Sequence, residues 1–342
     1  MNKKKYKIIA IAVLVIILGI TLKYYLKIFG SAVTKNAIVY VRTNGQFTDI
    51  KNSISPFVKN PENFTYVANK KKFTKPKAGR YELKKGMSMN QVVNLLRSGN
   101  QKPINVTFNN QDTVEKLAGR IAQQIEADST SLLTAFTDSD FLTKNHLTKK
   151  SALQIYIPNQ YEFYWNTSAT KFRDRMLHEY NNFWNASRLE KAKKLHLTQS
   201  EVITLASIVQ KETSQKSERP IVAGLYLNRL RKKWPLQADP TIIFALKEKK
   251  GHDKIYKRVL TKDLEINSPY NTYKNNGLPP TLIAMPDISS IDAVLNPTKH
   301  NYFYMCASVD KIGFHEFSKT LAQHNKNAYK YQLWVNKIGI NR

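Results

Sequence analysis

The chain has 342 residues, room for one large domain or two to three smaller ones, each with its own core. Its 54 Lys and Arg against 25 Asp and Glu leave a formal net charge of +29, which favours anionic partners (nucleic acid, anionic lipid or an acidic polymer) without choosing among them. One cysteine, Cys306, excludes an internal disulfide framework and any multi-cysteine zinc site; it reads as a strand thiol.

The first element is the apolar run Ile8 to Leu22, preceded by MNKKKYK. The run alone is slightly short of the roughly 20 residues that cross a bilayer, and Lys23, Tyr24 and Tyr25 extend it into the far interface. Lys3, Lys4, Lys5 and Lys7 favour a cytoplasmic N-terminus, with the body of the protein outside. A cleaved signal peptide is the rival reading. The run is at the long end for a signal, and Lys27 and Phe29 crowd the small-residue site at residues 30–32, so residues 1–30 are expected to be a cytoplasmic stub and uncleaved transmembrane anchor. Export on either reading weakens the nucleic-acid explanation of the charge, and no nucleic-acid recognition element is visible.

Asn36 to Thr43 alternates as a short strand. After a lysine-rich loop, RYELKKGMSMNQVVNLLRSGNQKPINVTF reads as strand, turn at Gly86, helix and strand. Ser88 and Gln91 form a capping box, Met89, Val92, Val93 and Leu96 line the inner face, and Gly99 ends the helix. A small β-α-β-type module over residues 36–107 follows, either a spacer or a weak polymer-binding unit. Asp112 to Glu126 is helical, with Val114, Leu117, Ala118, Ile121 and Ile125 on one side. Further on, IYIPNQYEFYWNTSA gathers Tyr156, Tyr161, Phe163, Tyr164 and Trp165 around Pro158 and one acid, Glu162. That cluster reads as core with one edge lining a groove.

LASIVQKETSQKSERP holds the main anomaly. The spacing predicts a helix from about Glu201 to about Ser214 with Ser200 as N-cap, and at 100° per residue Leu205, Ile208, Val209 and Glu212 share one stripe. Gln210 points nearly the opposite way. A carboxylate on the buried side costs free energy unless something pairs it or uses it. Pro220 starts a second helix, IVAGLYLNRLRKK. From Trp234 onward Pro, Gly, Asn and Tyr dominate, and these segments are expected to wrap a scaffold rather than form long helices; Asp239 is placed to cap a helix or orient a polar network.

His252, His300, His315 and His324 lack metal-ligand spacing, so no metal site is expected, and Ser207 lacks a nucleophile-elbow setting. Glu212 differs. An acid seated against apolar neighbours keeps its proton toward neutral pH and can deliver it to a leaving oxygen, the chemistry of glycosidic cleavage. Ordinary glycosidases add a second carboxylate. Glu218 is nearest in sequence, but the preferred reading for it is a structural ion pair with Arg219 or Arg229.

The motifs LASIVQKET with SER, VAGLYLNRLRKKWPLQADPTIIFAL, SPYNTYKNNGLPP, IAMPDISSIDAVLNP and HEFSKTLAQHN resemble, in order, those of the endolytic murein transglycosylase family (MltG, YceG-like). IPNQYEF matches the passage upstream of the catalytic helix, and GRYELKKGMSMNQVVNLLRSGN resembles the family's LysM-like membrane-proximal module. The resemblance implies an α+β chain: a single N-terminal transmembrane helix, the LysM-like module at 36–107, and a mixed helical and irregular catalytic domain at 108–342. It implies a lyase that cuts peptidoglycan inside the glycan strand, between N-acetylmuramic acid and N-acetylglucosamine, without water and leaving a 1,6-anhydro end. The catalytic glutamate of the KET element falls on Glu212, while Gln210 stands where the family usually has a second glutamate. Gln237, Asp239, Tyr270, Asn271, Tyr273, His315 and Asn325 are family-motif positions with hydrogen-bonding side chains, and hence candidates for substrate binding. No cofactor, metal or nucleic acid is implied. The expected partners are glycan strands, the cytoplasmic membrane and peptidoglycan synthases, with the catalytic domain on the extracytoplasmic side. A non-catalytic wall-binding scaffold and an ordinary hydrolase using Glu218 or Asp239 stand as alternatives.

Overall fold

A computed structural model describes residues 3–256 and 258–337, and the chain forms two compact units. Unit 1 comprises residues 1–106, 122–127 and 161–168; unit 2 comprises 107–121, 128–160 and 169–342.

In unit 1, helix α1 (Lys3–Phe29) is longer than the apolar run, because the flanking lysines and tyrosines continue it. Its 27 residues reach about 40 Å, long and apolar enough to cross a bilayer. All side chains from Lys3 to Leu26 are exposed, an apolar surface suited to lipid rather than water. Strand β1 (Ala37–Val41) pairs antiparallel with β2 (Gly79–Leu83), Ala37 opposite Leu83. Between them lie α2 (Phe47–Ile54) and α3 (Glu62–Lys70), short helices that the sequence reading passed over. Helix α4 (Met89–Ser98) forms as its pattern predicts: Ser88 Oγ accepts from the Gln91 N–H, and Gly99 closes it at φ 76°, a left-handed conformation that glycine adopts without strain. Met89, Val92, Val93 and Leu96 meet Val39, Val41, Tyr81, Leu83, Ile54 and Phe64 in one core. The expected third strand of the module, β3 (Ile104–Phe108), pairs instead with β4 (Asn159–Phe163), so no continuous three-stranded sheet forms.

Unit 2 is mainly helical. It contains α5 (Val114–Ala122, whose last residue falls in unit 1), α6 (Ser129–Phe136), α7 (Ser139–Lys144), α8 (Ala169–Phe183) and α9 (Ala186–Lys194). Tyr156 of the aromatic passage is buried here against Phe136. Helix α10 (Gln199–Glu212) runs through the centre and is buried from Val202 to Val209 on every side. Its cap is Thr198, not Ser200: Thr198 accepts from the Glu201 N–H while Glu201 reaches back, and Ser200 bonds Gln154 at 3.0 Å. The helix stops at Glu212, two residues earlier than its periodicity predicts. Around it pack α11 (Arg219–Arg231), α12 (Asp239–Lys250) and α13 (Ile288–Leu295). A hairpin of β5 (Tyr304–Ala307) and β6 (His315–Ser318), Tyr304 opposite Ser318, lies against α14 (Leu321–Lys337). The expectation that residues beyond 234 avoid long helices is corrected by α12 and α14. Residues 321–337 contain neither Gly nor Pro, and this, rather than their Asn and Tyr content, decided the outcome.

Candidate active site

Glu212 is the last residue of α10 and half-buried. Its carboxyl opens on a cavity of about 220 Å³ walled by α10, α11, the turn before α12, Tyr273 and the β5–β6 hairpin. Burial pushes its pKa up to about 7; a hydrogen bond from Tyr226 opposes the rise, the charge of Asp239 adds to it and Arg229 draws it back. The free carbonyls at a helix C-terminus act in the same sense as burial, since they disfavour a negative charge there.

Helix α11 supplies Tyr226 and Arg229, one turn apart on one face. Tyr226 is 1% exposed and its hydroxyl donates to Glu212 Oε1 at 2.6 Å, which fixes the carboxyl rotamer. Arg229 directs its donors to backbone: Nε to Phe303 O at 2.8 Å and Nη1 to Leu236 O at 2.5 Å. One cation therefore holds the hairpin and the segment before α12 together while lending positive potential to Glu212.

Gln237 is in the left-handed region at φ 49°, uncommon for a residue with a side chain. The turn is pinned by Thr272: its carbonyl accepts from the Gln237 N–H and its hydroxyl from the Ala238 N–H, each at 3.0 Å. Backbone strain maintained by surrounding bonds is characteristic of functional sites. The turn delivers Asp239 as the first residue of α12, where Oδ1 accepts from the Tyr273 hydroxyl at 2.6 Å. Asn271, wholly buried, donates to the carbonyls of Leu264 and Ile266 and accepts the Tyr273 N–H at 3.0 Å. It shapes the loop that presents Tyr273.

His315 begins β6 and is held by Glu218, which accepts its N–H at 2.6 Å and meets Nδ1 at 3.0 Å. Thr213 donates to the same carboxylate at 3.0 Å, and Glu218 is 4% exposed. The expected Arg219 or Arg229 pairing of Glu218 is thus corrected. Arg219 bonds Asp287 at 2.7 Å and Ser289, and Arg229 binds carbonyls, so Glu218 is a strut under His315. Gln210 faces this second cluster. Its amide lies 2.6 Å from Ser290 Oγ, and with its nitrogen toward Asp287 its oxygen accepts from Arg219 Nη2 at 3.2 Å, both away from Glu212.

Of the residues expected in the site, Gln237, Asp239, Tyr273 and His315 line the cavity with Glu212. Tyr270 lies elsewhere, its ring against Phe244 and its hydroxyl 2.7 Å from Thr281; Asn271 is interior; Asn325 is exposed on α14. Tyr226, Arg229 and Cys306 also line the cavity and were not singled out from sequence as part of it. A Tyr and an Arg at i and i+3 on one face of a mainly apolar helix were the available signal. Burial pushes the Cys306 thiol upward in pKa, with Glu316 adding to it, so it stays a neutral lining group.

A larger cavity, about 480 Å³, is lined by Asp112, Lys150, Phe244, Glu248 and His252 among others. Two of its acids, Asp112 and Glu248, are held away from proton delivery. Burial raises Asp112, but Lys211 and Lys247 outweigh it; burial raises Glu248, but Lys150 and His252 outweigh it, and both end below the usual carboxylate range. The smaller cavity holds the acid with a proton near neutrality.

Fold and site together define an α+β protein with an N-terminal helix of membrane-spanning length and a polar cavity organised around one protonatable glutamate. The profile of the YceG-like family matches residues 39–330, and the chain belongs to that family. It is 33% identical to the endolytic murein transglycosylase of Bacillus subtilis, over 80% of this chain and 78% of that protein. Identity is 29% to the endolytic murein transglycosylase of Streptococcus pneumoniae, over 78% of this chain and 53% of that one, so the chain spans about half the length of the pneumococcal relative. A crystal structure of a YceG-like protein from Listeria monocytogenes superposes with a TM-score of 0.56 at 28% identity, covering 85% of this chain and 98% of that one.

Proposed function

We propose that the protein is an endolytic peptidoglycan lytic transglycosylase whose acid–base residue is Glu212. The observation that carries this reading is a single glutamate, raised to about 7, held by Tyr226 at the edge of a cavity with hydrogen-bonding walls. The named relatives support the substrate class. Protonated Glu212 gives its proton to the glycosidic oxygen between N-acetylmuramic acid and N-acetylglucosamine while positive charge builds on the muramoyl ring. The carboxylate left behind takes the proton of that sugar's C6 hydroxyl, whose oxygen attacks C1 and closes a 1,6-anhydro ring. No second carboxylate is required, because the nucleophile is already tethered and recruiting water is unnecessary. One group serves as acid and then base only with a pKa near working pH, which the seat of Glu212 provides. Gln237, Asp239, Tyr273 and His315 are the groups we assign to sugar contacts. We place the body of the protein outside the cytoplasmic membrane, held by α1, acting on nascent strands near the synthases.

Asp239 in the same cavity favours one second reading, a hydrolase in which it activates water. Mass spectrometry of products from purified peptidoglycan separates the two. Internal fragments ending in 1,6-anhydromuramic acid, lost in Glu212→Gln, are expected; reducing ends would establish hydrolysis. Loss of the proton transfer should slow cleavage by ~10²–10⁴-fold, about 3–5 kcal/mol of barrier. Absence of any product from wild type would leave a wall-binding scaffold as the better account.

A further inference from the structure

Within two residues of the end of the apolar run, α1 already touches the body of unit 1. The Tyr24 and Tyr66 rings are 5.9 Å apart, and Lys27 Nζ stands 4.0 Å over the centroid of the Tyr66 ring. The junction has no slack: the Gly30 N–H bonds Leu26 O at 2.9 Å, and the N–H groups of Ala32 and Val33 bond Met87 O at 2.9 and 3.0 Å. Along the α1 axis Tyr24 and Lys27 lie about 3 and 7 Å beyond Leu22, from the helical rise. A headgroup layer is roughly 5–7 Å deep on each side of the hydrocarbon. Ile8 to Leu22 covers about 21 Å of a hydrocarbon roughly 30 Å thick, so Tyr24 and Lys27, and Tyr66 beside them, stand no farther out than the headgroup layer.

Tyr66 is on α3, whose C-terminal end carries Lys70, followed by Lys71 and Lys72. Lys70 and Lys72 are exposed, and Lys70 Nζ lies 5.9 Å from the Tyr66 centroid. Lys23 and Lys27 leave α1 at the same level. The acid of α3, Glu62, is at its opposite end and is paired with Lys51 at 2.7 Å. Ammonium groups this close to a bilayer are within the Debye length of its surface, about 10 Å.

We propose that the Tyr66–Lys72 end of α3, with Lys23 and Lys27 of α1, is a docking surface for the anionic phosphodiester headgroups of the bilayer that α1 crosses. Unit 1 is thereby seated on the membrane. Each lysine held at an anionic surface strengthens such an association about fivefold.

The test uses the full chain in nanodiscs of phosphatidylcholine, alone or mixed with phosphatidylglycerol, and follows acylation of lysines by a water-soluble amine-reactive ester with peptide mass spectrometry. Lys70, Lys71 and Lys72 should react roughly fivefold more slowly in the anionic discs, with the difference lost at high salt. Equal rates in both lipids would overturn the proposal. So would slowing shared equally by every exposed lysine, Lys193 and Lys232 included, which is a general surface potential. A soluble glycerol-phosphate polymer that protects the three lysines in neutral discs as well as phosphatidylglycerol does would show that the surface takes a polymer instead. None of these outcomes depends on glycan cleavage.

Discussion

At Glu212 one hydrogen bond and one neighbouring charge act in opposite directions, and both can be removed singly. Tyr226 lowers the acid's pKa and Asp239 raises it. If the protonated form starts the reaction, activity falls as pH rises through the folded value of about 7. Tyr226→Phe should move that falling limb to higher pH, and Asp239→Asn should move it lower; pH profiles of kcat/KM for the two variants decide. Parallel losses without movement of the limb would make both residues merely structural. Stability carries the same signature. The folded value, about 7, exceeds the ordinary 4.5, so the folded state holds the proton more tightly than the unfolded chain between those values. Stability is full below about 4.5 and is lost as pH rises through 7, by at most about 3 kcal/mol. Glu212→Gln, which can still accept from Tyr226, should therefore resist urea better than wild type at pH 8 and no better at pH 4. Gln210 belongs to the same scale. A glutamate there would set another negative charge beside Asp287, whereas the neutral amide leaves the Arg219–Asp287 pair balanced. The stripe Leu205, Ile208, Val209, Glu212 made the acid legible from sequence. Tyr226 and Arg229 were not, because α11 is buried on most of its surface and its polar members read as core.

Helices with strong local signals were legible; those decided by packing were not. The capping box and glycine stop of α4 appear where the pattern puts them. In α10 the periodicity places the cap at Ser200, two residues too late; the Thr198 hydroxyl accepts from the Glu201 N–H and the Thr198 N–H donates to Glu201 Oε2 at 2.7 Å, a reciprocal pair that helical periodicity does not register. Thr198→Ala should cost unit 2 about 1 kcal/mol, read as a lower urea midpoint. Helix α11 offers a sharper test at Gly224. Alanine would gain up to about 1 kcal/mol of helix propensity. Its Cβ, however, would stand 2.5 Å from Thr298 O and 2.8 Å from His300 Nε2, and a backbone carbonyl does not swing aside. Overpacking of this kind costs about 1–3 kcal/mol, so net destabilisation is expected for Gly224→Ala. The short helices α2 and α3 are not legible in the sequence because each spans only two to two and a half turns, too little for periodicity to rise above composition.

Across the molecule, the charge of +29 could be read early, but its placement could not. Sequence spacing did not reveal that the lysine-bearing end of α3 is brought beside the end of α1, because the contact between Tyr24 and Tyr66 joins residues far apart in the chain. The pairing of β3 with β4 rather than with the first two strands is non-local in the same way. Arg229 bonds one segment before α12 and one after α13, so Arg229→Ala should loosen both walls of the cavity at once. Left unpaired, the buried carbonyl of Leu236 would cost about 1–3 kcal/mol, and the half-buried one of Phe303 less. Hydrogen exchange at 234–239 and 302–307 should rise together; protection unchanged in either segment would separate them.

The junction at Gly30 has a consequence for rotational phase. With α1 in a bilayer as proposed, and packed on the rest of unit 1 without slack, the azimuth of its lipid-facing side chains is locked to the azimuth of the unit's core. One alanine inserted after Leu22 lifts unit 1 by about 1.5 Å but turns it by about 100° relative to the part of α1 inside the membrane. Lipid, which is uniform about the helix axis, registers only the lift. A membrane protein gripping one side of α1 would register the turn. The position of a single inserted residue therefore separates dependence on the bilayer from dependence on a neighbour within it.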